Sequence, residues 1–330
     1  MSEKREEGPR RPALRLPWSE KVDDPALRKR RMEGIYNGLL AAFMLGWAPI
    51  LGKFAYRAGV QPMTLAALRT VVAVLFLFGI YLALWPRLLR ISPLGLGNCF
   101  LVGSINGVGA LLYYLALARL DAASASLLST LYAVWVIIFL AAAGQPISRL
   151  TLLRLGAALV GAVLVTQPWT LTDPSDYLGA MLMAASAAVN GWYIVMGQWV
   201  LADVPARTAT IYILTGMGLT VSVVRFLVGG PLESFSSPSG WWVILALGIT
   251  TAFSRLAMFA SIERLGGAQT AIITLMEMAV SLALAFLLLG DRLTPWQWLG
   301  ALLLIVGGVL ARRDVEQGGA PPPAFNPMEN

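Results

Sequence analysis

Gly46-Trp47-Ala-Pro-Ile-Leu-Gly52 returns 145 residues later as Gly191-Trp192-Tyr-Ile-Val-Met-Gly197, and Arg119-Leu120 returns at the same distance as Arg264-Leu265. The chain reads as a duplication. Each copy holds five long apolar segments, an odd number, so the copies must enter a membrane from opposite sides and form an inverted repeat. A symmetry of this kind points to transport.

The rest of the chain agrees with a membrane setting. Hydrophobic residues make up 57% of it and charged residues 13%, against roughly 25% charged in soluble domains. Apolar runs of about 17 to 25 residues give ten candidate spans near 35–55, 62–85, 94–118, 122–143, 149–167, 177–199, 206–228, 240–262, 267–289 and 295–311. A bilayer offers no water to backbone groups, so a span is a helix or a barrel strand, and barrel-type alternation is absent. The expected fold is an all-α integral membrane protein of ten transmembrane helices arranged as two inverted five-helix repeats. Its expected divisions are a basic cytoplasmic tail (1–33), a first repeat (34–168), a second repeat (176–311) and a disordered cytoplasmic tail (312–330).

The first 33 residues carry ten Lys/Arg and no apolar core of the kind a cleaved signal needs. The tail is expected to stay inside, and an even number of spans then returns Arg312 and Arg313 to the same side, giving an N-in, C-in topology. The same residues hold seven Asp/Glu, so the tail is basic by three charges of the chain's net +7. Beside a membrane, its expected partner is the anionic lipid surface and not nucleic acid. The chain has no His and a single Cys, Cys99. That excludes His-based proton relays, Ser-His hydrolases, His-ligated haem and multi-Cys metal clusters, so no enzyme activity, metal or cofactor is expected.

Ionisable groups at the bilayer centre cost about 2.5 to 3.5 kcal/mol each, so those present call for a reason. Counting ~1.5 Å per residue from the span ends puts Trp47, Asn106, Tyr132, Asn190, Trp192, Arg255 and Glu277 at mid-depth. They come from spans 1, 3, 4, 6, 8 and 9, where 1, 3 and 4 are the repeat mates of 6, 8 and 9. Six spans are thus expected to surround a central cavity and four to pack outside it. A carboxylate as deep as Glu277 must be protonated, ion-paired or wet. It reads either as the structural partner of Arg255 or as a contact for substrate or proton, and the two can coexist because a guanidinium fork suits either acceptor.

The other candidates are also double-edged. Trp47 and Trp192 can fill space between helices or stack on a ligand. Asn106 and Asn190 can link helices or meet substrate. Arg69, nearer a span end, reads as structural. Tyr113, Tyr114, Tyr193 and Phe259 add aromatic surface, and Gly103, Gly107 and Gly109 give span 3 a face for close backbone approach.

The second copy carries a further pattern: Glu263-Arg-Leu-Gly-Gly-Ala-Gln-Thr-Ala, Leu275-Met-Glu277-Met-Ala, Leu287-Leu-Leu-Gly290-Asp291-Arg-Leu-Thr294-Pro-Trp-Gln297, then Leu299-Gly300-Ala and Gly307-Gly-Val. In this order the elements resemble the drug/metabolite transporter superfamily, in particular its ten-helix EamA-type members, over about residues 34–311. The first copy repeats them more faintly at Arg119-Leu-Asp-Ala, Leu131-Tyr132-Ala133-Val-Trp135, Gly144-Gln145 and Gly161. Where the family commonly has proline, this chain has Met278 and Ala133, which predicts straighter spans 9 and 4.

The resemblance implies a multi-pass transporter of small metabolites, often exporters, some of them of amino acids including aromatic ones. The expected function is export across the cell inner membrane of small amphipathic metabolites, with amino acids leading, by alternating access. Export of other drug-like or nucleotide-type metabolites, or a non-transporting membrane scaffold, are the alternatives. Protons are candidate coupling ions, facilitated diffusion is equally open, and so is the oligomeric state.

Overall fold

The computed structural model describes residues 25–120, 122–145, 149–166, 174–228, 238–289 and short stretches between 294 and 303. Every regular element among them is helical: α1 Pro25–Gly46, α2 Ala48–Arg57, α3 Pro62–Leu84, α4 Pro93–Leu117, α5 Ala122–Thr130, α6 Tyr132–Ala142, α7 Arg149–Thr166, α8 Pro174–Val200, α9 Ala206–Val228, α10 Pro238–Leu265, α11 Gly267–Thr274 and α12 Glu277–Leu284. A 3₁₀ turn, Pro86–Leu89, follows α3, and a π-helical turn, Ala285–Leu289, follows α12. Prolines open α3 and α4, where a missing N–H costs nothing. The Ser92 side chain caps α4 by accepting from the Gly95 amide at 3.1 Å.

Among the described residues, seven helical stretches are long and apolar enough to cross a membrane, and Leu128–Ala142 is a shorter apolar one. The fifth expected span forms α7, whereas most of the expected tenth span and the 312–330 tail lie outside the described residues. Large apolar side chains such as Leu75, Met181, Phe226 and Leu287 are exposed on the outside of the bundle, as a lipid-facing surface requires. Trp85, Trp241, Trp242, Trp296 and Trp298, all near the ends of spans, are exposed.

Spans 1, 4 and 9 are interrupted. In span 1 the cause is Pro49, which has no N–H to give the Leu45 carbonyl, so the helix breaks at Trp47. The freed Gly46 carbonyl accepts from the Ser281 hydroxyl of α12 at 2.8 Å. Spans 4 and 9, where the usual prolines are replaced, are interrupted at Leu131 and at Leu275-Met276, although the backbone there keeps right-handed helical angles. At both breaks the amides reach back only three residues, Leu131 to Leu128 and Met276 to Ile273, in tight 3₁₀-like turns.

The 145-residue recurrences mark contacts between the copies. A Cβ on Gly46 would stand 2.6 Å from the Val280 Cβ and 2.9 Å from the Glu277 carbonyl oxygen. One on its mate Gly191 would stand 2.6 Å from the Trp135 Cβ and 3.0 Å from the Tyr132 carbonyl oxygen, at the equivalent positions of the other copy. Likewise Gly34 lies against Arg264 and Leu265, and Gly179 against Arg119 and Leu120. The first of these meetings sits where Arg264 pairs with Glu33 at 3.4 Å and the Glu263 carboxylate accepts from the Ala206 amide at 3.1 Å. The second sits at the other end of α4, where Lys53 Nζ donates to the Leu117 and Leu120 carbonyls at 2.9 and 2.5 Å.

Two more features set the core. The Gly103 face of α4 lies directly on the Ile213 carbonyl of α9, and Gly107 on Thr220, the close backbone approach expected of that face. The tight joint between α10 and α11 uses Gly266 at φ 81°, a conformation glycine adopts without steric cost.

Candidate functional site

A cavity of about 100 Å³ lies where the interrupted helices meet. The breaks bring it Ala48 and Pro49 from span 1, Ser126, Ser129 and Tyr132 from span 4, and Thr274, Glu277 and Ser281 from span 9. The unbroken helices add Asn106, Tyr113 and Tyr114 from α4, Ser186 and Asn190 from α8, and Arg255 and Met258 from α10. Spans 1, 3, 4, 6, 8 and 9 all contribute. Span 2 joins them through Arg69.

Five of the seven residues singled out from the sequence line this space: Asn106, Tyr132, Asn190, Arg255 and Glu277. Tyr132 spans the gap between the two repeat-related helices, its hydroxyl 2.7 Å from Thr274 Oγ1. Asn106 gives its side-chain amide to the thioether of Met217 at 3.2 Å, linking α4 to α9 while it faces the cavity. Trp47 and Trp192 are not among the lining residues. Trp47 occupies the break in span 1, and Trp192 packs edge-on against Phe139 and Trp199, with ring centroids 5.1 and 5.8 Å apart.

Arg255 and Glu277 share the cavity, and no ion pair within 4.0 Å joins them among the described residues. The Arg255 guanidinium lies over the Tyr193 ring at 5.1 Å, and its Nη1 reaches only the Met258 sulfur at 3.7 Å, a weak acceptor. Tyr193 in turn packs edge-on against Phe259, with centroids 5.7 Å apart, so both aromatics support the arginine from outside the cavity. Buried polar atoms without a partner gather here: Nε of Arg69 and Arg255, the Tyr114 hydroxyl, Ser126 Oγ and Asn190 Oδ1. A native protein leaves few such atoms, and those it leaves call for water or a ligand. At roughly 10 to 15 Å³ per water the cavity has room for several waters to serve them.

Arg69 is the lining residue that sequence reading set aside. It is buried, its Nη1 donates to Thr251 Oγ1 at 3.0 Å, and its guanidinium covers the Tyr114 ring at 4.6 Å. The available signal was the composition of α3, which carries this arginine and no Asp or Glu anywhere along its length. The small hydroxyls Ser126, Ser186 and Ser281 were also passed over, because Ser is common in packed membrane helices and carries no chemistry on its own.

This arrangement, two repeats and a polar cavity on broken helices, has relatives. The sequence profile of a family described as EamA-like transporters matches residues 32–167 and again 177–313. The chain belongs to the EamA-like transporter family. That membership agrees with the resemblance read from its motifs. An uncharacterized transporter of Synechocystis sp. is 24% identical over 163 residues, which are 45% of this chain and 46% of that protein. The match thus spans about half the length of that curated relative. A solved crystal structure superposes with a TM-score of 0.70 at 18% identity, covering 86% of this chain and 99% of the other, a likeness of fold.

Proposed function

We propose that this family member exports small amphipathic metabolites across the inner membrane by alternating access, with amino acids, aromatic ones included, as the leading class. The observation that carries this reading is the unpaired pair. Arg255 and Glu277 face one cavity without an ion pair between them, beside Tyr113, Tyr114 and Tyr132. An α-carboxylate fits the guanidinium, an ammonium fits the carboxylate, and an aromatic side chain fits the tyrosine wall. A non-transporting scaffold has no use for buried polar atoms left without partners around a cavity.

A cavity of about 100 Å³ is smaller than the ~150 Å³ that admits benzene. Loading therefore requires the walls to part, and the breaks at Trp47, Leu131 and Leu275-Met276 are the places where parts of spans 1, 4 and 9 can turn. The ten-span, N-in, C-in arrangement belongs to the same proposal and rests on the basic tail. Glu277 supports proton coupling, which vesicle uptake with and without a pH gradient separates from facilitated diffusion. The test of the site is transport by reconstituted Glu277→Gln and Arg255→Ala proteins. Each is expected to lose at least about tenfold of its rate, and parental rates on every amino acid tried would show that the site is misassigned.

A further inference from the structure

Besides Arg255, the cavity holds a second cation. Arg69 is 7% exposed, lines the same space, and keeps its Nε without a partner. Its contacts, the Thr251 hydroxyl and the Tyr114 ring, are neutral. Glu277 is the one acid among the lining residues, and no ion pair within 4.0 Å joins it to either arginine among the described residues. The cavity therefore carries an excess of one positive charge when Glu277 is ionised and of two when it is protonated. Inside a bilayer such an excess is strongly unfavourable unless an anion enters to balance it.

We infer that Arg69 and Arg255 form one anion-binding subsite and that the substrate of this cavity is a small organic anion, with more negative than positive charge. The inference rests on the cavity being a transport site, and among small amphipathic metabolites it ranks net anions, acidic amino acids and keto acids, ahead of the neutral zwitterionic amino acids. A zwitterion leaves the excess charge in place, a cation adds to it, and a monoanion cancels it. The two arginines come from different copies, and neither is repeated: residue 214, the mate of Arg69, is Leu, and residue 110, the mate of Arg255, is Ala. Tyr114 and Tyr193 back the guanidinium faces, so the planar edges of the two forks are what a carboxylate would meet.

The test holds the aromatic ring constant and varies the charge, using phenylpyruvate, phenylalanine and 2-phenylethylamine on purified protein in lipid. Phenylpyruvate is expected to bind best and the amine worst, at least about tenfold apart, which is about 1.4 kcal/mol. Arg69→Gln is expected to weaken phenylpyruvate at least about tenfold and to leave the amine unchanged or stronger. Arg69→Lys keeps the charge without the fork and is expected to fall between, so it also serves if the Gln variant does not fold. An amine that binds as well as phenylpyruvate, or phenylpyruvate binding that ignores both Arg69 substitutions, overturns the inference. If phenylalanine is carried while phenylpyruvate ignores Arg69, the subsite falls and the export reading stands. If phenylpyruvate binds through Arg69 and neither it nor any amino acid tried is carried, the subsite stands and the export reading falls.

Discussion

Replacing Gly46 or Gly191 with alanine should destabilise the protein, although alanine is the better helix former. On propensity alone, glycine to alanine in a helix gains about 0.5 to 1 kcal/mol. Against this, the new methyl would lie 2.6 Å from a Cβ on the facing helix, that of Val280 or of Trp135. Both obstacles are fixed to backbone and cannot rotate away. Reaching the 3.4 Å of ordinary contact requires the helices to move apart by about 0.8 Å. Overpacking of that kind costs about 1 to 3 kcal/mol, more than propensity returns, so the net sign is unfavourable. Gly79 is the control, exposed in α3 with nothing within 4 Å of its Cβ position, so alanine there should be neutral or stabilising.

The chain supplies its own assay. Cys99 is the single cysteine and is fully buried, so a fluorogenic maleimide reacts only as the bundle opens on heating. Gly46→Ala and Gly191→Ala should unfold about 2 to 8 °C below the parent, and Gly79→Ala at or above it. If all three melt together, or if the first two melt higher, the close contact between copies is not what places glycine there.

Ser281→Ala removes the hydroxyl that serves the freed Gly46 carbonyl and should cost about 0.6 to 2 kcal/mol, read as a lower melting temperature in the same assay, whereas a Ser281→Thr variant that retains the hydroxyl should lose less. Trp192→Ala should lower the melting temperature by removing its contacts to Phe139 and Trp199, yet leave the order of substrate affinities unchanged; a changed order would bring this residue back to the binding site.

Much of the fold was legible because a bilayer imposes long apolar helices, and because the Gly46/Gly191 and Arg119/Arg264 pairs fix one copy on the other. Depth counting found Asn106, Tyr132, Asn190, Arg255 and Glu277, since a polar group is costly at mid-span wherever it faces. It could not give direction around the helix. Trp192 sits at the same depth and turns toward Phe139, while Arg69 sits nearer a span end and turns inward over Tyr114. Spans 4 and 9 were harder still. Their interruptions at Leu131 and Leu275 lack the proline that would announce them in the sequence.

The reciprocal meetings of Gly34 with Leu265 and of Gly179 with Leu120 have the form of an isologous interface, in which patch i of one partner meets patch j of the other and the reverse. A half-length chain holding only one copy would carry both patches on the same molecule, ready to pair with an antiparallel twin. The two halves of this protein, produced as separate polypeptides, should accordingly find each other and co-purify. Once joined, each was free to change alone, and the unmatched Arg69, Arg255 and Glu277 are what a symmetric pair of identical halves could not have held in single copy.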